Sequence, residues 1–128
     1  MKSNRRNIAA LTAVLVGSAL AILPAGSAFA YTECNTGWVC FYTASDFNPA
    51  SPHLDRFGDE FNWPSFITNQ DESVHNHGTT GASVRVYTLD YFINQVYCVK
   101  MGSKVVLPSN WDNQGNSHEW LTGISGCL

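Results

Sequence analysis

Val39-Cys40-Phe41-Tyr42-Thr43-Ala44-Ser45-Asp46-Phe47 and Val84-Arg85-Val86-Tyr87-Thr88-Leu89-Asp90-Tyr91-Phe92 are two copies of one pattern. Val opens both, Tyr-Thr stands in the middle, and Phe closes them. Val39 and Phe41 alternate with Cys40, as Val84 and Val86 alternate with Arg85. Alternation with period two, rich in Val, Phe and Tyr, is what a strand with one buried face requires. Each copy therefore reads as a strand running into an aromatic corner. The copies begin 45 residues apart, so each repeat is about half of a small domain.

The chain has 128 residues, and the first 30 do not belong to that domain on this reading. Lys2, Arg5 and Arg6 precede an apolar stretch from Ile8 to Leu23, and Ala28-Phe29-Ala30 supplies a small-residue cleavage site. This order is that of a secretory signal peptide over 1–30, an uncleaved membrane anchor being the competing reading. The expected mature chain, 31–128, supports one domain with a modest core. It carries four basic residues (Arg56, Arg85, Lys100, Lys104) against ten acidic ones, a net charge of −6. That balance argues against nucleic acid or an anionic membrane as partner.

All four cysteines, Cys34, Cys40, Cys98 and Cys127, lie in the mature part. An even count in a small exported domain implies two disulfides. Four cysteines allow three pairings, and nearness along the chain suggests Cys34–Cys40 and Cys98–Cys127. The second would close a loop of about 30 residues and stabilise by roughly 3–4 kcal/mol. No Cys-x2-Cys pair suggests a structural zinc site, and an even count leaves no spare catalytic thiol.

Along the mature chain, strands are expected at Trp38–Tyr42, over the first part of Leu54–Phe61, at Val84–Tyr87, at Gln95–Met101 and at Lys104–Leu107. Asn48-Pro49 and Ser51-Pro52 exclude regular structure between Phe47 and His53. Asn69 to Gly81 is polar and reads as a loop joining the repeats. The tail from His118 to Leu128 carries Trp120, Leu121 and Ile124 and is expected to tuck against the core. After the signal segment no long helical period remains. Short strands between turn signals argue for an all-β sandwich, and two similar halves suggest two facing Greek keys.

Each copy holds Tyr-x4-Phe, as Tyr42 with Phe47 and Tyr87 with Phe92. Each is followed by an amide-rich hexapeptide: Thr68-Asn69-Gln70-Asp71-Glu72-Ser73 and Asp112-Asn113-Gln114-Gly115-Asn116-Ser117. At these residues the chain resembles the βγ-crystallin superfamily, which pairs an aromatic corner with such a loop. With the signal peptide, Cys34-x5-Cys40 and the Val-Cys-Phe-Tyr strand, it is similar to peptidase inhibitor family 36, the Streptomyces-type metalloproteinase inhibitors. The family's corner glycine is missing from both copies. Asn94, which tolerates a left-handed backbone, replaces it in the second, and Pro49, which cannot, in the first, so that corner must be built differently.

The resemblance implies a secreted, monomeric, non-enzymatic domain: a two-Greek-key β-sandwich of βγ-crystallin type. Its implied partner is an extracellular peptidase, of the thermolysin-like zinc class, held by a disulfide-stapled substrate-like loop. The resemblance places the reactive bond at Cys98–Val99, with Val99 as the apolar residue after the scissile bond. Alternation alone explains Tyr97, Val99 and Met101 equally well, as the inward face of a core strand. No cofactor is required. Calcium is a candidate ligand, with Asp112, Asn113 and Ser117 as the oxygen donors; turn stabilisation by the same side chains is the competing reading. A calcium-binding extracellular module and a small secreted toxin or antifungal protein are the alternative functions.

Catalytic readings fail on geometry. In Asp59-Glu60 and Asp71-Glu72 the carboxylates of adjacent residues point to opposite faces of extended chain. No serine stands in a Gly-x-Ser-x-Gly elbow. His75-x-His77 reads either as two imidazoles on one strand face, half of a zinc site, or as an exposed loop pair, with the loop favoured by its Asn76 and Gly78 neighbours.

Overall fold

Both copies of the repeat form strands that end in a corner. The structure is a computed structural model that describes residues 33–128. The expected signal peptide over 1–30 lies outside the described residues. The strands follow as β1 (Val39–Tyr42), β2 (His53–Arg56), β3 (Ser73–Asn76), β4 (Ser83–Leu89), β5 (Ile93–Val99), β6 (Lys104–Val106) and β7 (Ser117–Leu121). A 3₁₀ turn, Asp90–Phe92, makes the second corner. Among the described residues no helix is long and apolar enough to cross a membrane.

One sheet has the order β2-β1-β3-β6 and the other β5-β4-β7. All pairings are antiparallel. The order records an exchange between the halves. β6, from the second repeat, pairs with β3 of the first, Val74 opposite Val105. In return Glu60, from the first repeat, bridges His118 on β7. The N–H of each donates to the other's carbonyl, at 2.9 and 3.0 Å. The result is an all-β sandwich of two interlocked Greek keys, as expected.

The inward positions of both sheets meet in one core. Val39, Phe41, Val74, Val84, Val86 and Val99 are fully buried there. Phe41 packs 4.4 Å from Trp63 and 5.0 Å from His118, ring centre to ring centre. Cys34 is bonded to Cys40, and Cys98 to Cys127.

Two expectations need correction. The polar stretch Asn69–Gly81 is not all loop, because β3 runs through it and is buried along its whole length. The side chains of Ser73 and Asn76 are satisfied from within. Ser73 Oγ donates to the Ala44 carbonyl at 2.6 Å, and Asn76 Nδ2 to Ala82 and Val99 carbonyls at 3.2 and 3.0 Å. Polarity with internal partners costs little on burial. The strand expected at Gln95–Met101 is shifted: β5 is Ile93–Val99, and Met101 is exposed in the turn with Gly102, whose φ is 81°.

Candidate functional site

The likeness between the halves extends well beyond the hexapeptide. Trp63-Pro64-Ser65 precedes the first loop as Leu107-Pro108-Ser109 precedes the second. In both, the proline carbonyl accepts from residues three and four further on: Ile67 and Thr68, then Trp111 and Asp112. Asn69 and Asn113 stand in the left-handed region at φ 55° and 56°. Their N–H groups cross the interface reciprocally, Asn69 to the Gly115 carbonyl at 2.8 Å and Asn113 to the Asp71 carbonyl at 2.7 Å. The amide-rich loops thus join the repeats.

This joint uses one of the candidate calcium ligands. Ser117 is fully buried, and its hydroxyl donates to the Leu89 carbonyl at 2.6 Å while accepting from the Phe92 N–H at 3.3 Å. Ser73 makes the matching bond to Ala44. Ser117 is therefore a strut of the aromatic corner, its hydroxyl already engaged on both sides. Half-buried Asp112 and exposed Asn113 stay on the outer rim of the loop. Among the described residues no three His, Cys, Asp or Glu side chains gather around a metal position.

Where the second loop has Gly115, the first has Asp71, and each suits the other. A Cβ on Gly115 would lie 2.3 Å from the Trp63 ring. Its N–H donates to Asp71 Oδ1 at 2.8 Å, and Tyr97 donates its hydroxyl to Oδ2 at 2.6 Å. Burial pushes the Asp71 carboxyl up to about 6 even though both bonds favour the charged form. Trp63 donates its indole N–H to His118 Nδ1 at 2.8 Å, and His118 Nε2 donates to the Gly58 carbonyl at 3.0 Å. Burial holds His118 down to about 3. These groups tie the interior and are closed to a ligand.

The bond chosen as reactive site lies in the wrong place for it. Val99 is 0% exposed, paired with Val84 on β4, and Cys98 is opposite Arg85. On the other side the Leu128 N–H donates to the Cys98 carbonyl at 2.9 Å. A peptidase cleft reaches a backbone only where it is free and extended, so the Cys98–Val99 bond is inaccessible in the folded chain. The core-strand reading of Tyr97 and Val99 is the one the structure shows.

A different surface is available at the second corner. Leu89, Tyr91 and Ile93 are 51%, 72% and 55% exposed, and Phe61 beside them is 56% exposed. Phe61 packs against Phe92 and Tyr91 with tilted rings, centroids 5.0 and 6.3 Å apart. The backbone beneath is fixed. Tyr91, Phe92 and Asn94 have φ of 58°, 61° and 62°. The Tyr91 N–H donates to the Phe61 carbonyl at 2.8 Å, and Asn94 Nδ2 donates to Thr88 Oγ1 at 2.7 Å. Reading the inward alternation alone misses these residues. The signal lies in the repeat: Leu89, Tyr91 and Ile93 stand where the first copy has Ala44, Asp46 and Asn48.

Three residues along β7 from Ser117, about 10 Å at strand rise, the same edge opens into a cleft of about 300 Å³. Phe57, Asp59, Thr79 and Trp120 line it over Gly37, Gly58 and Gly78. Asp59 Oδ1 accepts from the Trp120 N–H at 2.8 Å. A side chain at Gly78 would meet the Trp120 ring at 2.6 Å, so the glycine lets the indole lie down.

No family model and no curated protein matches the sequence. Solved structures do match its shape. A domain from work on the evolution of the eye-lens βγ-crystallin fold superposes with a TM-score of 0.60 at 16% identity, covering 71% of this chain and 91% of that one. A βγ-crystallin from Ciona intestinalis gives 0.54 at 13%, covering 66% and 100%. One from an archaeon gives 0.51 at 15%, covering 68% and 100%. This chain thus shares the βγ-crystallin fold.

Proposed function

We propose that the protein is a secreted, non-catalytic inhibitor of an extracellular peptidase of the thermolysin-like zinc class, and that it docks through the apolar second corner. The observation that carries this reading is the exposure of Leu89, Tyr91, Ile93 and Phe61 on a backbone already fixed by hydrogen bonds. A rigid aromatic anchor loses little freedom on binding, and such anchors dominate interface energies. Thermolysin-like enzymes take apolar side chains in their clefts, which fits this composition. The class of target rests on the sequence resemblance.

The test is residual activity of a thermolysin-like peptidase titrated with the oxidised 31–128 protein. Wild type is expected to inhibit stoichiometrically. The triple variant Leu89→Ala, Tyr91→Asp, Ile93→Asn gives the second corner the residues the first already holds, so it should fold, and its inhibition should fall at least a hundredfold. Inhibition that survives these changes sinks the corner as docking site. Absence of inhibition with this and other peptidase classes sinks the inhibitor, and a melting temperature lowered by chelator would then favour the calcium module.

A further inference from the structure

His75 and His77 are the chemistry-bearing pair that the proposed function leaves unused. Residues two apart on a strand face the same way. Their rings stack with centroids 4.8 Å apart and planes 15° from parallel. The loop alternative for this pair is thereby corrected: His75 is in β3, opposite Cys40 on β1 and Lys104 on β6. His77 follows the strand end, its N–H donating to the Trp38 carbonyl at 2.9 Å and its carbonyl accepting from Gly37 at 2.7 Å.

We propose that His75 and His77 form a two-imidazole chelate for a borderline divalent transition metal, copper(II), nickel(II) or zinc(II). His77 Nδ1 lies 2.8 Å from the Cys34 carbonyl, which only accepts, so Nδ1 carries the proton and Nε2 keeps its lone pair for the ion. A backbone carbonyl behind the ring is the usual support of a metal-binding histidine. His75 lines a cavity of about 330 Å³ that also holds Glu33, Asp46 and Lys104, which gives an ion a way in to His75. Metal–nitrogen bonds of about 2.0–2.1 Å require two ligand nitrogens about 3 Å apart, so binding must open the stacked rings out of their parallel arrangement. No third His, Cys, Asp or Glu converges there among the described residues, so water fills the remaining positions. Lys104 opposes the ion's charge, and Glu33 and Asp46 favour it.

The experiment uses the oxidised 31–128 protein in metal-free buffer at pH 7.5, titrated with copper(II), nickel(II), zinc(II) and, as control, calcium(II) chloride. Heat is recorded by calorimetry and residue-specific broadening by proton–nitrogen NMR. Copper(II) should bind tightest, nickel(II) and zinc(II) more weakly, and calcium(II) not at this pair. Broadening should centre on His75 and His77. His77→Ala, a change at a half-exposed strand end, should weaken copper(II) binding at least tenfold, and His75→Gln should do the same. Lys104→Gln should tighten it about twofold to fivefold, by removing a like charge, and His53→Ala should leave it unchanged. Affinity unchanged in folded His77→Ala, or broadening centred on another histidine, would overturn the chelate.

Discussion

The two aromatic corners occupy equivalent places and present opposite surfaces. In the first, Phe47 turns through φ 56°, and the Asp46 and Asn48 side chains accept from Asn48 and Ala50 N–H groups at 3.2 and 2.9 Å. Pro49 is accommodated because these local bonds build the turn without a left-handed residue at its position. In the second, Asn94 takes the left-handed place, and Leu89, Tyr91 and Ile93 stand out into solvent. The frame beneath both is the same: a buried serine, Ser73 or Ser117, holds the carbonyl two residues past the Tyr. The fold therefore fixes the corner's backbone and leaves the outer side chains open to variation. Equal frames with unequal surfaces mark the second corner as the apolar one of the pair.

The largest way to sharpen that comparison lies at the joint, where the halves are not interchangeable. Gly115→Ala should cost about 3 kcal/mol, an overpacking effect, because its Cβ meets Trp63 and the buried Asp71 carboxylate. Thermal melts of the oxidised protein check this, and an unchanged melting temperature would mean that the joint is soft.

His118 stands where the first half has Val74, and it gives the second half a dependence on acid. A histidine held down to about 3 contributes fully above its ordinary value of about 6.5, and that contribution is lost as pH falls toward 3. His75, down to about 4, acts in the same direction. Asp71, pushed up to about 6, acts the other way: folding favours its protonated form, so acidification from about 6 to 4 adds stability. Wild type should lose stability over this range. His118→Val should remove about 1.4 kcal/mol per pH unit from that slope. At pH 7 it should cost about 1–3 kcal/mol, because Trp63 loses its acceptor. Denaturant melts at pH 7, 5.5 and 4.5 decide the matter, and a variant as acid-labile as wild type would assign the slope elsewhere.

The smallest effect compares the two serines. Ser117 makes two bonds to its corner and Ser73 one to its own, so Ser117→Ala should destabilise by about 1 kcal/mol more than Ser73→Ala. Equal costs would show that the Phe92 N–H finds water as readily as the hydroxyl.

How much of this was legible depended on whether a residue's partner lies nearby in the chain. The strands of the repeat were readable because Val39, Phe41, Val84 and Val86 alternate without interruption. β3 was not, because Ser73 and Asn76 look like loop until Ala44 and Val99 are brought to them from far along the chain. Val99 was the hardest residue to place. Its neighbours Cys98 and Lys100 fit a stapled loop as well as a strand, and only the pairing with Val84 and the return of Leu128 decide between them. The second corner was visible in principle, by asking where the copies disagree instead of where they agree.

The exchange of segments between the sheets governs the order of events when the chain acquires its structure. β3 has no outer neighbour until β6 has emerged, and β4 has none on one side until β7 arrives, near the end of the chain. Glu60 likewise waits for His118. Neither half can complete its sheet while the other is still being delivered, so the finished fold needs nearly the whole polypeptide. Contacts of such long range form slowly. A chain cut short before β7 would therefore lack the partner of β4 and of Glu60 alike.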